Sequence, residues 1–129
     1  MLLDTHALLW LLTDDPRLGA DARLRLATAP LLHASTISLW EVRIKADLGK
    51  LTVPVDFPER VVESGVEWLA LTPEHVWASS QIQGLPHRDP FDKMLVAVSA
   101  HLTIPLLTAD QALLSATISP AIELIDARA

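Results

Sequence analysis

Four carboxylates spread along the chain, Asp4, Glu41, Asp92 and Asp110, have the most chemistry to offer. Asp4 ends the apolar run Met1-Leu2-Leu3. Glu41 lies in the first helical turn after the run Leu31-Leu32-His33-Ala34-Ser35. Asp92 sits in the first turn of a helix opened by Asp89-Pro90, and Asp110 follows Leu106-Leu107-Thr108. In an open parallel sheet, functional groups gather just beyond the carboxyl ends of the strands. Acids at such places converge when their strands are neighbours. The cluster then repels itself: two unit charges about 4 Å apart cost roughly 4 kcal/mol at an effective dielectric of 20. It persists if some acids are protonated or if a cation sits among them. Hard oxygen ligands, with no cysteine and no clear histidine cluster, suit Mg2+ or Mn2+. Such an ion activates water, orients a phosphate and neutralises developing charge. Phosphodiester hydrolysis is the reaction class that this equipment fits best.

The elements that must hold these acids follow from periodicity and punctuation. Asp89-Pro90 combines an N-cap with a proline in the first helical turn, where a missing N–H costs nothing. Phe91, Met94, Leu95, Val98 and Leu102 then repeat at helical spacing and give one apolar face. Further helices are expected over 5–12, 20–27, from Ser38 to about Leu48, from Asp56 to Ser64, from Thr72 to about Ser80, and briefly from Asp110 to Leu114. Ser38-x-x-Glu41 reads as a capping box, and Gly49 as the residue that ends that helix. Strands are expected at 1–4, 31–35, 67–71, 104–108 and 122–126. They are apolar runs rather than alternating patterns, so both sheet faces are covered. Strand and helix alternate throughout, which predicts a three-layer α/β/α sandwich around a central, mainly parallel sheet. At 129 residues the chain is read as a single domain, 1–129.

Composition narrows the function classes. The absence of cysteine excludes disulfides and thiolate metal sites. The first residues lack a signal peptide's basic and apolar regions, and no apolar run reaches the length of a membrane span. A cytoplasmic protein with no membrane partner is expected. The net charge of -6 excludes nucleic-acid binding by broad electrostatics. Any such role rests on a local basic patch, bound cations or transient contact. Each acid also has a plainer reading: Glu41 in a capping box, and Asp89, Asp92 and Asp110 as helix-start acids. His6 and His33 lie in or beside apolar segments and read as hydrogen-bonded structural residues, whereas His87 lies in a polar loop near the acids. Trp10, Trp40, Trp68 and Trp77 read mainly as core. The helices at 7–12 and 20–27 are the expected partner-binding surface.

The motifs together resemble a PIN-domain protein, specifically the VapC-like toxin of bacterial toxin–antitoxin pairs. The resemblance rests on Leu2-Leu3-Asp4-Thr5-His6-Ala7-Leu8-Leu9-Trp10, on Ile37-Ser38-Leu39-Trp40-Glu41-Val42 with Lys45 and Leu48-Gly49-Lys50-Leu51, and on Leu71-Thr72-Pro73-Glu74-His75. It continues through His87-Arg88-Asp89-Pro90-Phe91-Asp92-Lys93-Met94-Leu95-Val96-Ala97 and Leu107-Thr108-Ala109-Asp110. It implies a PIN-like fold and a Mg2+- or Mn2+-dependent ribonuclease. Asp4, Glu41 and Asp92 would be the core acids and metal ligands, Asp110 the fourth and more variable one, and Asp89 a neighbouring cap. Thr108 would orient a carboxylate or water from behind the ligands, if it does more than fill a strand end. The resemblance also implies an RNA substrate cut to leave a 5′-phosphate and a 3′-hydroxyl, a cognate antitoxin as partner, and a homodimer.

Phosphate binding needs donors as well. Arg43, Lys45, Lys50, Arg88 and Lys93 are half of the ten Lys and Arg residues and bracket the acids in sequence. Lys45, Lys50, Arg88 and Lys93 are expected to line an RNA path; the alternative is a solvated helix face. Two other readings compete. A phosphatase with a strand-end aspartate wants a second acid two residues on, where this chain has Asp4-Thr5-His6. A catalytically weak RNA- or protein-binding PIN-like module would not need all four acids.

Overall fold

The computed structural model describes residues 1–129. Its five strands are β1 (Leu2–Leu3), β2 (Leu32–Ser35), β3 (Val66–Leu69), β4 (Leu106–Thr108) and β5 (Leu124–Asp126). They form one sheet in the order β3-β2-β1-β4-β5, and every pair is parallel. The helices are α1 (Thr5–Leu12), α2 (Ala20–Thr28), α3 (Thr36–Asp47), α4 (Phe57–Glu63), α5 (Pro73–Ala78), α6 (Pro90–Leu102) and α7 (Gln111–Leu114), with a 3₁₀ turn at Ser79–Gln81. None is long and apolar enough to cross a membrane.

Both sheet faces are dry because consecutive strand residues point opposite ways. Leu3 and Leu107 enter a core with Ala7, Leu8, Trp10, Ala22, Leu26, Phe57 and Val61 from α1, α2 and α4. Leu2 and Leu106 enter the other, with Leu95, Val96 and Val98 of α6 and Leu113 of α7. This is the three-layer arrangement that the unbroken apolar strands imply. The paired stretches differ from the apolar runs that announce them: β4 and β5 pair only over the last three residues of theirs, and β3 starts one residue early, at Val66, and ends at Leu69.

Two local expectations are corrected. The helix after β2 starts at Thr36, not Ser38, because Ser35 already caps it by accepting from the Ile37 N–H at 3.2 Å. Ser38 and Glu41 are therefore interior positions on one buried face, not a capping box. Trp40 and Trp77 are not core residues: they are 58 % and 85 % exposed. Only Trp10 is fully buried among the four tryptophans.

The chain reverses sheet direction at β1, with β2 on one side and β4 on the other, so a crevice opens above the carboxyl ends of β1 and β4. The segment after β5 borders it and is pinned to the start of α2. Gly19 N–H donates to Ala127 O at 2.9 Å, and the Asp21 and Ala22 N–H groups donate to Ala129 O at 3.0 and 3.2 Å. A Cβ on Gly19 would lie 2.0 Å from Ala129 O, so only glycine allows this approach. Gly19→Ala is expected to destabilise the fold by about 1–3 kcal/mol, read from the urea midpoint; an unchanged midpoint would show that this junction is loose.

Candidate active site

Asp4 is the anchor. It follows β1, caps α1 and is only 4 % exposed. Its Oδ1 accepts from the Ala7 N–H at 2.7 Å. Its Oδ2 accepts from the Thr108 hydroxyl at 2.7 Å and from the Ala109 N–H at 2.9 Å. Register sets this up, since Leu3 pairs with Leu107 and places Asp4 beside Thr108. Burial pushes the Asp4 carboxyl above its ordinary range, and those three donors oppose the shift without cancelling it. Thr108 also accepts from the Asp110 N–H at 3.1 Å, so one hydroxyl ties two acids to the end of β4.

Asp110 caps α7, with Oδ1 taking the Leu113 N–H at 3.0 Å. Its Oδ2 lies 2.7 Å from His87 Nε2, which is 3.3 Å from Asp92 Oδ2. Asp92 lies in the first turn of α6, where Asp89 is the N-cap and accepts from the Phe91 and Asp92 N–H groups. Burial raises the Asp92 pKa to about 7, helped by the nearby charge of Asp89, a hydrogen bond with Asp110, and the charges of Asp4 and Asp110. Burial also acts to raise Asp110, but hydrogen bonds from the Leu113 N–H, His87 and Asp92 outweigh it and hold that carboxyl low. The hydrogen bond to Asp110 is the main cause that raises His87.

Glu41 completes the ring from α3 and is 6 % exposed. Its Oε1 accepts from the Thr5 hydroxyl at 2.6 Å, and its Oε2 pairs with Lys45, one turn on, at 2.7 Å. Ser38 shares a 3.0 Å hydrogen bond with Thr5, which fixes that hydroxyl between α1 and α3.

Asp4, Glu41, Asp92 and Asp110 thus line one groove of about 310 Å³, together with Asp89, Thr5, His6, Trp10, Arg17, Lys45 and Arg128. Being an N-cap and facing the groove prove compatible: Asp110, for example, caps with one oxygen and presents the other. Of the basic residues expected along the path, Lys45 lines the groove and Lys50 a larger adjoining cleft that Lys45 also borders. Arg88 is exposed and Lys93 half-buried, and neither lines the groove. His6 is exposed at the groove rather than buried as a structural residue, and the Nδ1 of His33 is buried with no hydrogen-bond partner. Arg17 and Arg128 escaped the sequence reading, which weighed only cations near the acids in the linear order. Ligand atoms of His87, Asp92 and Asp110 lie within 4.8 Å of one another, a spacing one cation can span. Asp4 and Glu41 line the same groove but lie outside that close group. The carboxylate oxygens fit a hard divalent ion, and Asp92, raised first by burial and then by neighbouring charge, is a group whose ionised form such an ion would favour.

The PIN-domain family profile matches residues 1–117. The chain belongs to the PIN-domain family. Solved structures share the fold of this PIN domain. A chain of VapBC2 from Rickettsia felis bound to a DNA fragment from their promoter superposes with a TM-score of 0.68 at 13 % identity, covering 97 % of this chain and 96 % of that one. DNA-bound VapBC from Salmonella typhimurium gives 0.66 at 19 % identity, with 98 % and 96 % covered. A toxin–antitoxin complex from Klebsiella pneumoniae gives 0.60 at 18 % identity, with 88 % and 89 % covered. No curated protein matches the chain.

The protonation pattern has a measurable consequence. Asp4 and Asp92 hold their protons more tightly than ordinary carboxyls, so the folded state binds more protons than the unfolded chain from about pH 4 to 7. Stability conferred by the raised His87 pKa is complete below its unfolded value and is lost as pH rises through its folded one. The buried His75 and the N-terminal amine, both lowered by burial, act the other way in this range, but Asp4, Asp92 and His87 outnumber them: the metal-free protein is expected to melt at a lower temperature at pH 8 than at pH 5. Mn2+ at a hundred times its Kd should add roughly 2.7 kcal/mol at pH 8, and at a fixed Mn2+ concentration less at pH 5, where protons compete. A metal-free melt that stays flat or rises from pH 5 to 8 would contradict this.

Proposed function

We propose that this PIN domain is a divalent-metal-dependent endoribonuclease acting as the VapC-like toxin of a toxin–antitoxin pair. The observation that carries the reading is the meeting of Asp4, Glu41, Asp92 and Asp110, from four separate segments, in one groove above β1 and β4. Asp4, Asp92 and Asp110 would hold Mg2+ or Mn2+, with Glu41 bound directly or through water. The ion would supply charge neutralisation and an activated water. The chain's own groups do the positioning. Thr108 and the Ala109 N–H fix the Asp4 carboxylate, and Thr5 fixes Glu41. The half-exposed Asp92 and Asp110 face the substrate side, and His87 holds them at a set separation. Hydrolysis leaves a 5′-phosphate and a 3′-hydroxyl.

The folds of VapBC and toxin–antitoxin complexes support an antitoxin partner for this chain. Its seat is better placed on α3 and the segment before α4 than on α1 and α2. There Leu39, Trp40, Val53, Val55 and Phe57 line an apolar groove of about 400 Å³. Trp40 and Val55 stand exposed, whereas Ala7, Leu8 and Trp10 of α1 are buried. A homodimer in a cytoplasmic setting completes the proposal.

The test is RNA cleavage by the purified chain in Mg2+ or Mn2+. Asp4→Asn and Asp92→Asn should each lower kcat by on the order of a hundredfold or more, as loss of a preorganised charge-stabilising group does, and EDTA should abolish activity. Wild-type cleavage by either variant, or full activity in EDTA, would remove the assignment. Lys45→Ala combined with Lys50→Ala should weaken RNA binding and flatten the plot of log affinity against log salt by about 1.4, two phosphate contacts on a single strand. An unchanged slope would show that these lysines do not touch RNA.

A further inference from the structure

The groove carries three strong cations, Arg17, Lys45 and Arg128, among five carboxylates. Two already have an acid as partner: Lys45 has Glu41 at 2.7 Å, and Arg17 has Asp15 through Nε and Nη2 at 3.0 and 2.7 Å. Arg128 has none. It borders the acids yet forms no ion pair, because it is held another way. Its Nη1 donates to the Ala109 carbonyl at the end of β4, and its guanidinium lies 5.0 Å from the centre of the buried Trp10 ring. Its backbone is fixed as tightly. The Arg128 N–H donates to Asp126 Oδ1 at 2.8 Å, Ala127 N–H to Thr108 O at 2.9 Å, and Gly19 N–H to Ala127 O.

Left free, an arginine beside carboxylates would fold onto one of them. A guanidinium held off the acids by a carbonyl and an indole keeps its remaining N–H groups and its charge for something else. Planar, bidentate donors of this kind match a phosphate. Arg128 is tethered at Ala109, on the β4 side of the cluster, while Lys45 stands on the Glu41 side. A strand laid across the acids would meet Lys45 at one end and Arg128 at the other.

We infer that Arg128, stacked on Trp10 and tied to the Ala109 carbonyl, grips a backbone phosphate of the RNA next to the scissile one. This rests on the ribonuclease reading of the groove. Because the gripped phosphate is not the reacting one, Arg128 contributes binding and alignment, and its loss appears in KM rather than kcat.

The experiment compares the wild-type chain, Arg128→Gln and Arg128→Lys on a 5′-labelled single-stranded RNA in Mg2+. Gln removes the charge and the fork and shortens the side chain; Lys keeps the charge. Arg128→Gln should raise KM about tenfold, leave kcat within about twofold, and reduce the salt slope of RNA binding by about 0.7, one single-strand phosphate contact. Arg128→Lys should recover part of the KM and the whole slope. The same comparison on an Asp92→Asn background, read by fluorescence anisotropy, measures binding without cleavage. A wild type that cleaves nothing therefore defeats the ribonuclease reading, while an Asp92→Asn/Arg128→Gln double variant that binds as tightly as Asp92→Asn, with the same slope, defeats the Arg128 assignment. A fall in kcat alone, or a Lys variant no better than Gln, also overturns it, as either would mean that Arg128 only packs against Trp10.

Discussion

The structure turns on keeping the Asp4 carboxylate at the dry end of the central strand. A carboxyl this buried is tolerable only if both oxygens find donors. Those donors come from two places: the first turn of α1, and the end of β4 through Thr108 and Ala109. To satisfy one side chain, the fold must seat α1 squarely on β1 and bring β4 into register beside it. The position of Asp110 follows, because its N–H reaches the same Thr108 hydroxyl. Chemistry and architecture share the same bonds here.

The remaining acids show how repulsion is managed by degrees. Glu41 is the most heavily compensated, with a hydroxyl on one oxygen and an ammonium on the other. Asp110 is held charged by a backbone N–H and by His87. Asp92 is raised first by its burial and then by the charges of Asp89, Asp4 and Asp110, and keeps its proton to about pH 7. Imidazole between Asp92 and Asp110 occupies the kind of position a cation would take.

Much of this was legible in the sequence because it is written in local patterns. Asp89-Pro90 announces the start of α6, and Thr108-Ala109-Asp110 announces a strand end passing into a cap. The unbroken apolar runs imply a sheet covered on both faces. What stayed hidden was decided at long range. Ser38-x-x-Glu41 satisfies the capping-box pattern, but Ser35 caps first, and no local rule ranks one serine above the other. Trp40 and Trp77 look like core residues until the sheet shows which helix faces it leaves uncovered. Arg128 could be linked to the site only through Trp10 and Ala109, residues its own neighbourhood does not mention.

The central strand has its own temporal consequence. Leu2 and Leu3 are made well before their partners Leu106 and Leu107, and before the hydroxyl that completes the Asp4 shell, which follow about a hundred residues later. Until then β1 lacks one neighbour, and Asp4 lacks its two donors from the end of β4. The four-acid groove therefore cannot be complete before β4 is made. The interval before β4 is made separates making the first of the four acids from bringing them together.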